Sequence, residues 1–555
     1  MPRPTFLYRR DRLDMIDVAS ALPRACPPAS RASTPAARST ADTDSQTEDD
    51  PVLKACIGPG ILYKIRAVAG AGKSTTLRRV ASHHNDQKIL YVVFNVTAAE
   101  DQARRYAQMQ HVDVMTLDKL AYDAICADFD DRECSEAIVM NEPPSPWRLE
   151  HFYGRLTSYK VSDVILAAGE RAYDGWLRSS DASPSSSHID VVDVRLDHAC
   201  ILEIVSAAFA MMLDQTWPLT HEAIMKKYQI DHASSERRYG IILVDEAQDL
   251  SPCQLAVVLA IPEVTTFLVY DANQAINSFR GADQPDVLDR LPCADTFVLP
   301  QSWRYGQALA DAACSCLRVL GGDEVVPTEI RGCHGRNTEV RSYDEMLPTL
   351  FSETDAGRAV WVLARTNLAL VRVALRLGQE RPRACSQFFF QGGGGGGGPF
   401  AYIDECDGAG MVLAVASFKQ DPATPRKAKY HVLDHFAVVA EPWQSFASWV
   451  FMNRHKSGRN WHSALTLVNQ IGVRDAVSAV MLLAKSVRID RPPHGVRFST
   501  IHKAKGLGMD TILLADDWAR DEGAEAARLC YVALTRAKAR AWISKALRER
   551  LSLHK

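Results

Sequence analysis

The sequence predicts an α/β protein built on parallel sheets, and three observations support this class. Short apolar runs alternate with helical stretches along most of the chain after residue 60. A glycine-rich turn follows the first apolar run and precedes a helical stretch, and two carboxylates follow another apolar run directly. Alternation of this kind favours βαβ units, in which helices cover both faces of a parallel sheet.

The elements follow in order from Ile61. The first predicted helices are Thr75–Ser82 and Ala98–Gln108. The predicted strands are Ile61–Ala69, Lys88–Phe94, Ile241–Val244, Thr265–Tyr270, Thr296–Leu299, Ala359–Ala364, Val496–Thr500 and Thr511–Ala515.

Two stretches interrupt the alternation and are predicted to be inserted, mostly helical subdomains. The first runs from Asp123 to about Tyr239 and contains a Ser/Pro-rich loop at Ser180–Ser187. The second runs from Arg381 to about Pro493 and contains Phe388–Phe390 and a glycine run at Gly392–Gly398. Glycine has too much backbone freedom to form the interior of a helix or strand, so we expect a flexible loop there.

Composition excludes several classes of protein. The 555 residues correspond to about three to four domains, and 47% apolar with 24% charged residues is typical of globular chains. The net charge of −3 argues against coating nucleic acid by bulk charge, so any such site must be a local groove. The 13 cysteines include no CxxC pair, which favours a reducing compartment over a disulfide framework or a structural zinc site. Apolar runs such as Ile201–Leu213, which contains Glu203, are too short to span a membrane.

The first 55 residues are predicted to be a disordered tail, since they are rich in Pro, Ala, Ser, Thr, Arg and Asp and show no apolar period. The arginine-rich start raises a mitochondrial transit peptide as an alternative. Asp11, Asp14 and Asp17 count against it, because transit peptides contain few acidic residues.

The glycine-rich turn has the pattern of a phosphate-binding loop. Its residues are Ala69, Gly70, Ala71, Gly72, Lys73, Ser74 and Thr75. The glycines allow backbone N–H groups to surround an anion at a helix N-terminus, Lys73 is placed to reach the β- and γ-phosphates, and Ser74 to ligate Mg²⁺. Ala67 stands where the general pattern has its first glycine. The alternative is a glycine-rich turn without a ligand.

The paired carboxylates follow the apolar strand Ile241–Val244. Asp245 and Glu246 are expected at the carboxyl end of that strand, where open α/β sheets bind ligands. Asp245 suits Mg²⁺, and Glu246 suits a general base that orients an attacking water. An acidic strand end in solvent is the alternative.

The chain resembles the UvrD/Rep family of superfamily 1 DNA helicases, and within it most nearly the F-box DNA helicases. The acidic motif Asp245-Glu-Ala-Gln-Asp249 carries the resemblance, together with a segment from Trp217 to Tyr228. No F-box is visible in the tail. Further motifs follow in the family order: Asp271-Ala-Asn-Gln274, Gln301-Ser-Trp303-Arg304, Leu363-Ala-Arg365-Thr-Asn367, Thr500-Ile-His502-Lys-Ala-Lys505-Gly506 and Tyr531-Val-Ala-Leu-Thr535-Arg536.

The resemblance implies two RecA-like P-loop domains with ATP and Mg²⁺ in the cleft between them. Domain 1A would cover residues 56–300 with a helical insertion 1B at about 123–239. Domain 2A would cover 301–555 with an insertion 2B at about 381–493. The implied catalytic residues are Lys73, Asp245, Glu246, Gln274, Arg304 and Arg536, with Ser74 and Asp245 as metal ligands. Trp303 would stack on adenine.

The resemblance also implies a groove for single-stranded DNA. The family contact positions are Phe94, Asn95, Phe279, Arg365, Asn367 and His502. Aromatic side chains stack on bases of any sequence, and Arg and Asn hold the backbone. Phe94 as a core residue and His502 as a structural histidine are the alternatives.

Several positions depart from the family pattern. Tyr270 replaces a glycine, Asn277 stands where an aromatic residue is common, and Thr116-Leu-Asp118 lacks a histidine. Gly508 replaces a glutamate of the nucleotide or coupling network, and no adenine-reading glutamine motif precedes the loop.

The motifs therefore predict an ATP-dependent DNA translocase and helicase, and the resemblance implies movement from 3′ to 5′ and a role in repair or recombination. Its expected partners are single-stranded DNA or DNA junctions and recombinase or repair proteins, without a membrane. The expected location is the nucleus, with the mitochondrion as the alternative. Two other functions stay open: a non-motor DNA-binding or scaffold protein derived from a helicase, and an RNA helicase of the same superfamily.

Overall fold

The structure is a computed structural model. It describes residues 50–127, 138–140, 163–190, 193, 196–213, 219–276, 285–322, 325, 328–381, 389–390, 408–422, 433, 437–438, 441–452, 459–478, 495–515 and 523–553. Two compact units account for these residues. The first comprises those within Met1–Arg66, Lys73–Tyr270 and Phe279–Val298, and the second those within Ala67–Gly72, Asp271–Ser278 and Leu299–Lys555.

A six-stranded sheet in the order β3-β2-β6-β7-β1-β8 organises the first unit. The pairs β1–β7, β2–β3, β2–β6 and β6–β7 are parallel. Its strands are β1 (Ile61–Ala67), β2 (Ile89–Val92), β3 (Val112–Met115), β6 (Ile241–Val244), β7 (Thr265–Tyr270) and β8 (Asp295–Leu299). A separate parallel pair consists of β4 (Ile138–Met140) and β5 (Leu219–Thr220).

The central strands form continuous apolar runs because both faces of the sheet are covered by helices. All four residues of β6 and all six of β7 are buried, as is usual for parallel sheets. The helices of this unit are α1 (Lys73–His83), α2 (Val96–Tyr106), α3 (Leu117–Ala127), α4 (Asp163–Arg178), α5 (His198–Leu213), α6 (His221–Asp231), α7 (Pro252–Ala260) and α8 (Pro285–Arg290).

A buried lysine connects the predicted Ser/Pro-rich loop to helix α6. Lys226 is fully buried, and its ammonium donates to the carbonyl oxygens of Ser179 and Asp181 at 2.7 and 3.0 Å. It also donates to Gln229 Oε1 at 2.7 Å and lies 5.4 Å from the centre of the Trp176 ring. Burial lowers the pKa of Lys226 to about 8, because removal from water disfavours the charged form.

The second unit contains another six-stranded sheet, in the order β11-β12-β10-β13-β14-β9. All of its pairings are parallel. Its strands are β9 (Glu339–Tyr343), β10 (Ala359–Ala364), β11 (Phe389–Phe390), β12 (Gly495–Thr500), β13 (Met509–Leu514) and β14 (Ala537–Ser544). The helices are α9 (Gln307–Gly321), α10 (Met346–Asp355), α11 (Asn367–Glu380), α12 (Gly408–Gln420), α13 (Pro442–Met452), α14 (Arg459–Ile471), α15 (Ile501–Ala504), α16 (Ala524–Leu534) and α17 (Lys545–Arg550).

The two parallel sheets confirm the predicted α/β class, and they add strands that the sequence did not indicate. These strands, β3, β9 and β14, are short or carry charged residues between their apolar ones. The Phe388–Phe390 segment also differs from prediction. Phe389 and Phe390 form an edge strand of the second sheet, parallel to β12, although they belong to a stretch predicted to be inserted.

Some predictions fall outside the described residues. Residues 1–49 of the tail and the glycine run at 392–398 are among them. Of the remaining residues assigned to the tail, Val52 and Leu53 are buried, and Asp50 pairs with Arg79 at 2.8 Å. Across the residues that the structure describes, no helix has the length and apolarity to cross a membrane.

Candidate functional site

Four polar side chains of the first unit meet where helix α1 begins and strand β6 ends. Lys73 Nζ lies 3.0 Å from Glu246 Oε1. Ser74 Oγ donates to Asp245 Oδ2 at 2.7 Å. The structure thus brings together residues that belong to separate sequence motifs. Lys73 contacts Glu246, and Ser74 contacts Asp245.

Two glycines of the loop and one residue of the cluster have a positive φ. Gly70 and Gly72 have φ values of 78° and 87°, in the left-handed region that favours glycine. Glu246 has φ 55°, which is uncommon for a residue with a Cβ atom and costs roughly 1 to 3 kcal/mol. Strain of this kind persists where the surrounding structure holds it, and here Glu246 contacts both Lys73 and Gln248.

Burial destabilises the ionised form of the Asp245 carboxylate. Its carboxylate is 8% exposed, and burial together with the neighbouring Glu246 raises the pKa of Asp245 above its ordinary value. The Lys73 charge and the hydrogen bonds from Ser74 and Tyr91 oppose this shift. Tyr91 donates to Asp245 Oδ2 at 3.0 Å and had no role in the sequence prediction. The sequence offered only one hint of Tyr91, a hydroxyl within an otherwise apolar strand, and this hint does not show the partner of the hydroxyl.

Gln248 belongs to the acidic motif, but the sequence predicted no role for it. Its side-chain amide donates to Glu246 Oε2. Glu246 therefore contacts Lys73 through one carboxylate oxygen and Gln248 through the other. These two contacts fix the orientation of the candidate base.

The loop segment 67–72 lies in the second unit. Two side chains and one backbone N–H of that unit form hydrogen bonds to it. The N–H of Ala69 donates to Tyr531 Oη at 2.9 Å, and the carbonyl of Ala69 accepts from Ser302 Oγ at 2.9 Å. The N–H of Trp303 donates to the Gly70 carbonyl at 2.8 Å. The side chain of Trp303 is 61% exposed, which leaves its ring faces open to a planar ligand.

Gln274 and Arg536 also meet in the second unit. Arg536 Nη2 donates to Gln274 Oε1 at 3.2 Å, and Arg536 Nε donates to the Val532 carbonyl at 2.9 Å. Arg536 is 1% exposed and Gln274 is 3% exposed. Arg304, which is half-buried, donates to the Thr535 carbonyl at 2.9 Å. That the two arginines act on a γ-phosphate stays a prediction.

The candidate DNA contacts have varied surroundings. Phe94 is half-buried after β2, and Asn95 caps helix α2 by accepting the N–H of Ala98 at 2.8 Å. Asn367 begins helix α11, but its side chain lies outside the described set, and so does Phe279. The Asn95 amide thus has a structural task that does not depend on DNA.

Arg365 and His502 belong to the second unit and are both half-buried. His502 Nε2 lies 3.0 Å from the carbonyl oxygen of Ile276, an arrangement in which the ring N–H donates. Burial lowers the pKa of His502, and the charges of Lys505 and Arg365 act in the same direction. His502 is therefore a neutral hydrogen-bond donor at neutral pH.

Two departures from the family pattern have visible neighbours. Tyr270 donates to Asp289 Oδ1 at 2.7 Å within the first unit. Gly508 lies beneath Lys538, since a Cβ atom at Gly508 would be 2.6 Å from Lys538 Cε. Asn277 is not among the described residues.

Comparisons with known proteins match both halves of this arrangement. Residues 205–290 match the UvrD/REP helicase N-terminal domain, and residues 495–544 match the UvrD-like helicase C-terminal domain. Domains of this family fit the two RecA-like folds expected for the chain.

Similar individual proteins include two from distant eukaryotes. F-box DNA helicase protein 1 of Schizosaccharomyces pombe is 23% identical over 90% of this chain and 57% of that protein. F-box DNA helicase 1 of Gallus gallus is 23% identical over 91% of this chain and 49% of that protein. RecBCD enzyme subunit RecB of Mycolicibacterium smegmatis is 35% identical over 18% of this chain and 10% of that protein. The chain thus spans about half the length of the first two relatives, and the matches confirm the resemblance drawn from its motifs.

Proposed function

We propose that this chain, which carries the N- and C-terminal helicase domains of the UvrD/REP family, is an ATP-driven DNA helicase. The observation that carries the proposal is the cluster of Lys73, Ser74, Asp245 and Glu246. Phosphoryl transfer requires a cation at the phosphates, oxygen ligands for a metal ion and a carboxylate near the attacking water. The cluster supplies all three within one unit.

The loop and helix α1 bind the phosphates. Backbone N–H groups at a helix N-terminus favour an anion, and Lys73 adds a full positive charge there. Ser74 and Asp245 are the residues that hold Mg²⁺, which when bound neutralises charge on the phosphate oxygens. Their oxygens suit this ion, because Mg²⁺ prefers oxygen ligands and uses one or two carboxylates together with substrate phosphates.

Glu246 acts as the general base. It accepts a proton from the water whose oxygen attacks the γ-phosphorus, while the bond from that phosphorus to the bridging oxygen of the β-phosphate breaks. In the structure Lys73 pairs with this carboxylate at 3.0 Å. Phosphates that attract Lys73 release Glu246, so the base becomes available when the substrate is bound.

Strand separation follows from coupling this hydrolysis to single-stranded DNA. Support for DNA as the substrate comes from the names of the relatives and from Phe94, Arg365 and His502 at family contact positions. A polarity of 3′ to 5′, a role in repair or recombination, recombinase or repair proteins as partners, and a nuclear location rest on the resemblance alone. Duplexes with a 3′ or a 5′ single-stranded tail would test the polarity.

The deciding experiment measures ATP hydrolysis with and without single-stranded DNA. We expect DNA to stimulate the wild type. Lys73→Ala is expected to weaken ATP binding and abolish turnover, whereas Glu246→Gln keeps ATP binding and loses about 10²- to 10⁴-fold in turnover. Lys119→Ala and Glu100→Gln, which change exposed side chains, serve as matched controls.

The same assay separates the alternatives. Turnover that ignores DNA would contradict a motor on nucleic acid. Normal DNA binding without turnover would indicate a scaffold protein. Stronger stimulation by RNA than by DNA of the same sequence would indicate an RNA helicase, since a protein can sense the 2′-hydroxyl.

A further inference from the structure

Tyr531 occupies a buried position between two segments that are far from it in sequence. It lies on helix α16 and is fully buried. Its hydroxyl accepts the N–H of Ala69 at 2.9 Å and donates to Asp271 Oδ2 at 2.8 Å. One hydroxyl therefore links the phosphate-binding loop to the segment that contains Gln274, and all three residues belong to the second unit.

The network continues from Asp271 to two of the candidate catalytic residues, Gln274 and Arg536. Asp271 Oδ2 also accepts Gln274 Nε2 at 2.7 Å. Gln274 Oε1 accepts Arg536 Nη2 at 3.2 Å, and the Gln274 carbonyl accepts Lys505 Nζ at 2.6 Å. An unbroken chain of hydrogen bonds thus runs from the Ala69 amide to Arg536.

Both backbone polar groups of Ala69 are hydrogen-bonded to side chains. Tyr531 holds its N–H, and Ser302 Oγ donates to its carbonyl oxygen at 2.9 Å. Ser302 is fully buried, like Tyr531. The two buried hydrogen bonds hold the peptide groups on either side of Ala69, and the second of these leads to Gly70, whose φ of 78° starts the turn of the loop.

The hydroxyl of Tyr531 keeps its proton throughout the neutral range. Burial, followed by the charge of Asp271, raises the pKa of Tyr531 well above its ordinary value. A protonated hydroxyl donates to the carboxylate while its lone pairs accept the amide, and a phenyl ring of the same shape does neither.

We propose that Tyr531 is a positioning residue of the phosphate-binding loop. Its hydroxyl binds the N–H of Ala69 and thereby orients the backbone of the loop for phosphate binding. It also connects the loop, through Asp271, to Gln274 and Arg536. The inference rests on the proposed function, because it assumes that the loop binds a nucleotide.

The test compares wild type with Tyr531→Phe. Loss of the hydroxyl leaves a buried N–H and a buried carboxylate short of one partner each, a change of about 1 to 3 kcal/mol. We expect the Kd for ADP and the KM for ATP to rise together by roughly 5- to 100-fold, with a smaller change in kcat, because ground state and transition state use the loop alike. Ser302→Ala, which removes the hydrogen bond to the carbonyl of the same residue, Ala69, should shift both constants in the same direction.

Tyr228→Phe is the matched control. Tyr228 is a buried tyrosine of the first unit whose hydroxyl has no hydrogen-bond partner among the described residues. Its removal should leave Kd and KM unchanged. Thermal unfolding of every variant shows whether Tyr531→Phe folds, and Asp271→Asn, which keeps the shape of the side chain and loses its charge, replaces it if it does not.

The outcomes separate this inference from the proposed function. A lower melting temperature with unchanged Kd and KM would make Tyr531 a purely structural residue and overturn the inference. If the wild type binds ADP but does not hydrolyse ATP, the proposed function fails while the ADP affinities still decide the role of Tyr531. If the wild type binds no nucleotide, the inference fails as well.

Discussion

Ser74 and Asp245 are 171 positions apart in sequence, yet Ser74 Oγ donates to Asp245 Oδ2 at 2.7 Å. The second residue of helix α1 and the residue that follows strand β6 thus present two oxygens at one point. Tyr91 donates to the same carboxylate oxygen at 3.0 Å. Neither donor cancels the cost of burying the charge, since the pKa of Asp245 remains raised.

The first prediction is that Asp245→Asn lowers the ATPase activity and raises the stability of the fold. A raised pKa means that the ionised carboxylate destabilises the folded state at neutral pH. The neutral amide should therefore increase the free energy of unfolding at pH 7, while ATP turnover falls at least about 100-fold and the Mg²⁺ requirement increases. Chemical denaturation and Mg²⁺ titrations of the ATPase measure these effects.

Asp123→Asn is the matched control, because Asp123 is an exposed carboxylate paired with Lys119. It should leave turnover and the Mg²⁺ requirement unchanged. A stabilised Asp245→Asn variant with normal turnover would show that Asp245 is not a metal ligand.

The second prediction contrasts two glycines of the second unit. A Cβ atom at Gly306 would lie 2.0 Å from the backbone oxygen of Arg336, whereas one at Gly508 would lie 2.6 Å from the side-chain atom Lys538 Cε. Backbone cannot move aside cheaply, but the end of a lysine can. Gly306→Ala should cost more than about 2 kcal/mol and Gly508→Ala less than about 1 kcal/mol of unfolding free energy.

Urea denaturation of the two variants checks this order. Neither glycine has a positive φ, so both substitutions test space rather than backbone strain. Equal destabilisation would contradict the distinction between a rigid and a flexible neighbour.

The third prediction concerns acid. Glu353 is 3% exposed and accepts from Arg358 Nε at 2.7 Å and Arg540 Nη1 at 3.0 Å. Burial opposes ionisation, but the hydrogen bond from Arg358 and the charges of both arginines outweigh it, so the pKa of Glu353 lies below its ordinary value.

A lowered pKa means that Glu353 stabilises the fold above the unfolded value of about 4.3 and that this contribution is lost as the pH falls through the folded value. Glu353→Gln should therefore unfold more easily than wild type at pH 7 by about 2 kcal/mol, since it removes the carboxylate that accepts from Arg358 and one of the two that accept from Arg540. The difference should shrink at pH 3. Denaturation curves at both pH values test this, and a difference that does not depend on pH would refute it.

The fourth prediction concerns base. Lys226 loses its proton near pH 8, whereas an unfolded lysine keeps its proton to about pH 10.4. Between these values the unfolded chain binds more protons, so the free energy of unfolding should rise with pH.

Lys226→Met, which keeps the length of the side chain without its charge, is the reference for this effect. Relative to it, wild type should gain up to about 3 kcal/mol between pH 8 and pH 10.5. Parallel denaturation series of both proteins measure the gain, and a constant difference would show that Lys226 titrates normally.

Much of the fold follows from sequence because buried strands are continuous apolar runs. Ile241–Val244 and Thr265–Tyr270 were predicted with the limits that β6 and β7 have. Strands β9 and β14 were not predicted because charged residues such as Glu339, Arg341 and Arg540 alternate with apolar ones. The ion pair between Arg540 and Glu339 forms only when the two strands align.

The site was partly predictable for a similar reason. Lys73, Ser74, Asp245 and Glu246 belong to compact motifs whose chemistry the residue types indicate. Tyr91 and Tyr531 act through single hydroxyls on elements that otherwise look like core, and no local pattern shows which partner a buried hydroxyl finds.

The division of the chain has a practical result for anyone who wishes to study one unit alone. Each unit is assembled from three separate stretches, and the short stretches 67–72 and 271–278 belong to the unit whose bulk starts at residue 299. A single truncation of the chain therefore cannot produce either unit in complete form. During synthesis, the Ala69 amide leaves the ribosome more than 450 residues before its partner Tyr531, so the loop gains this contact only after all the residues between them have been made.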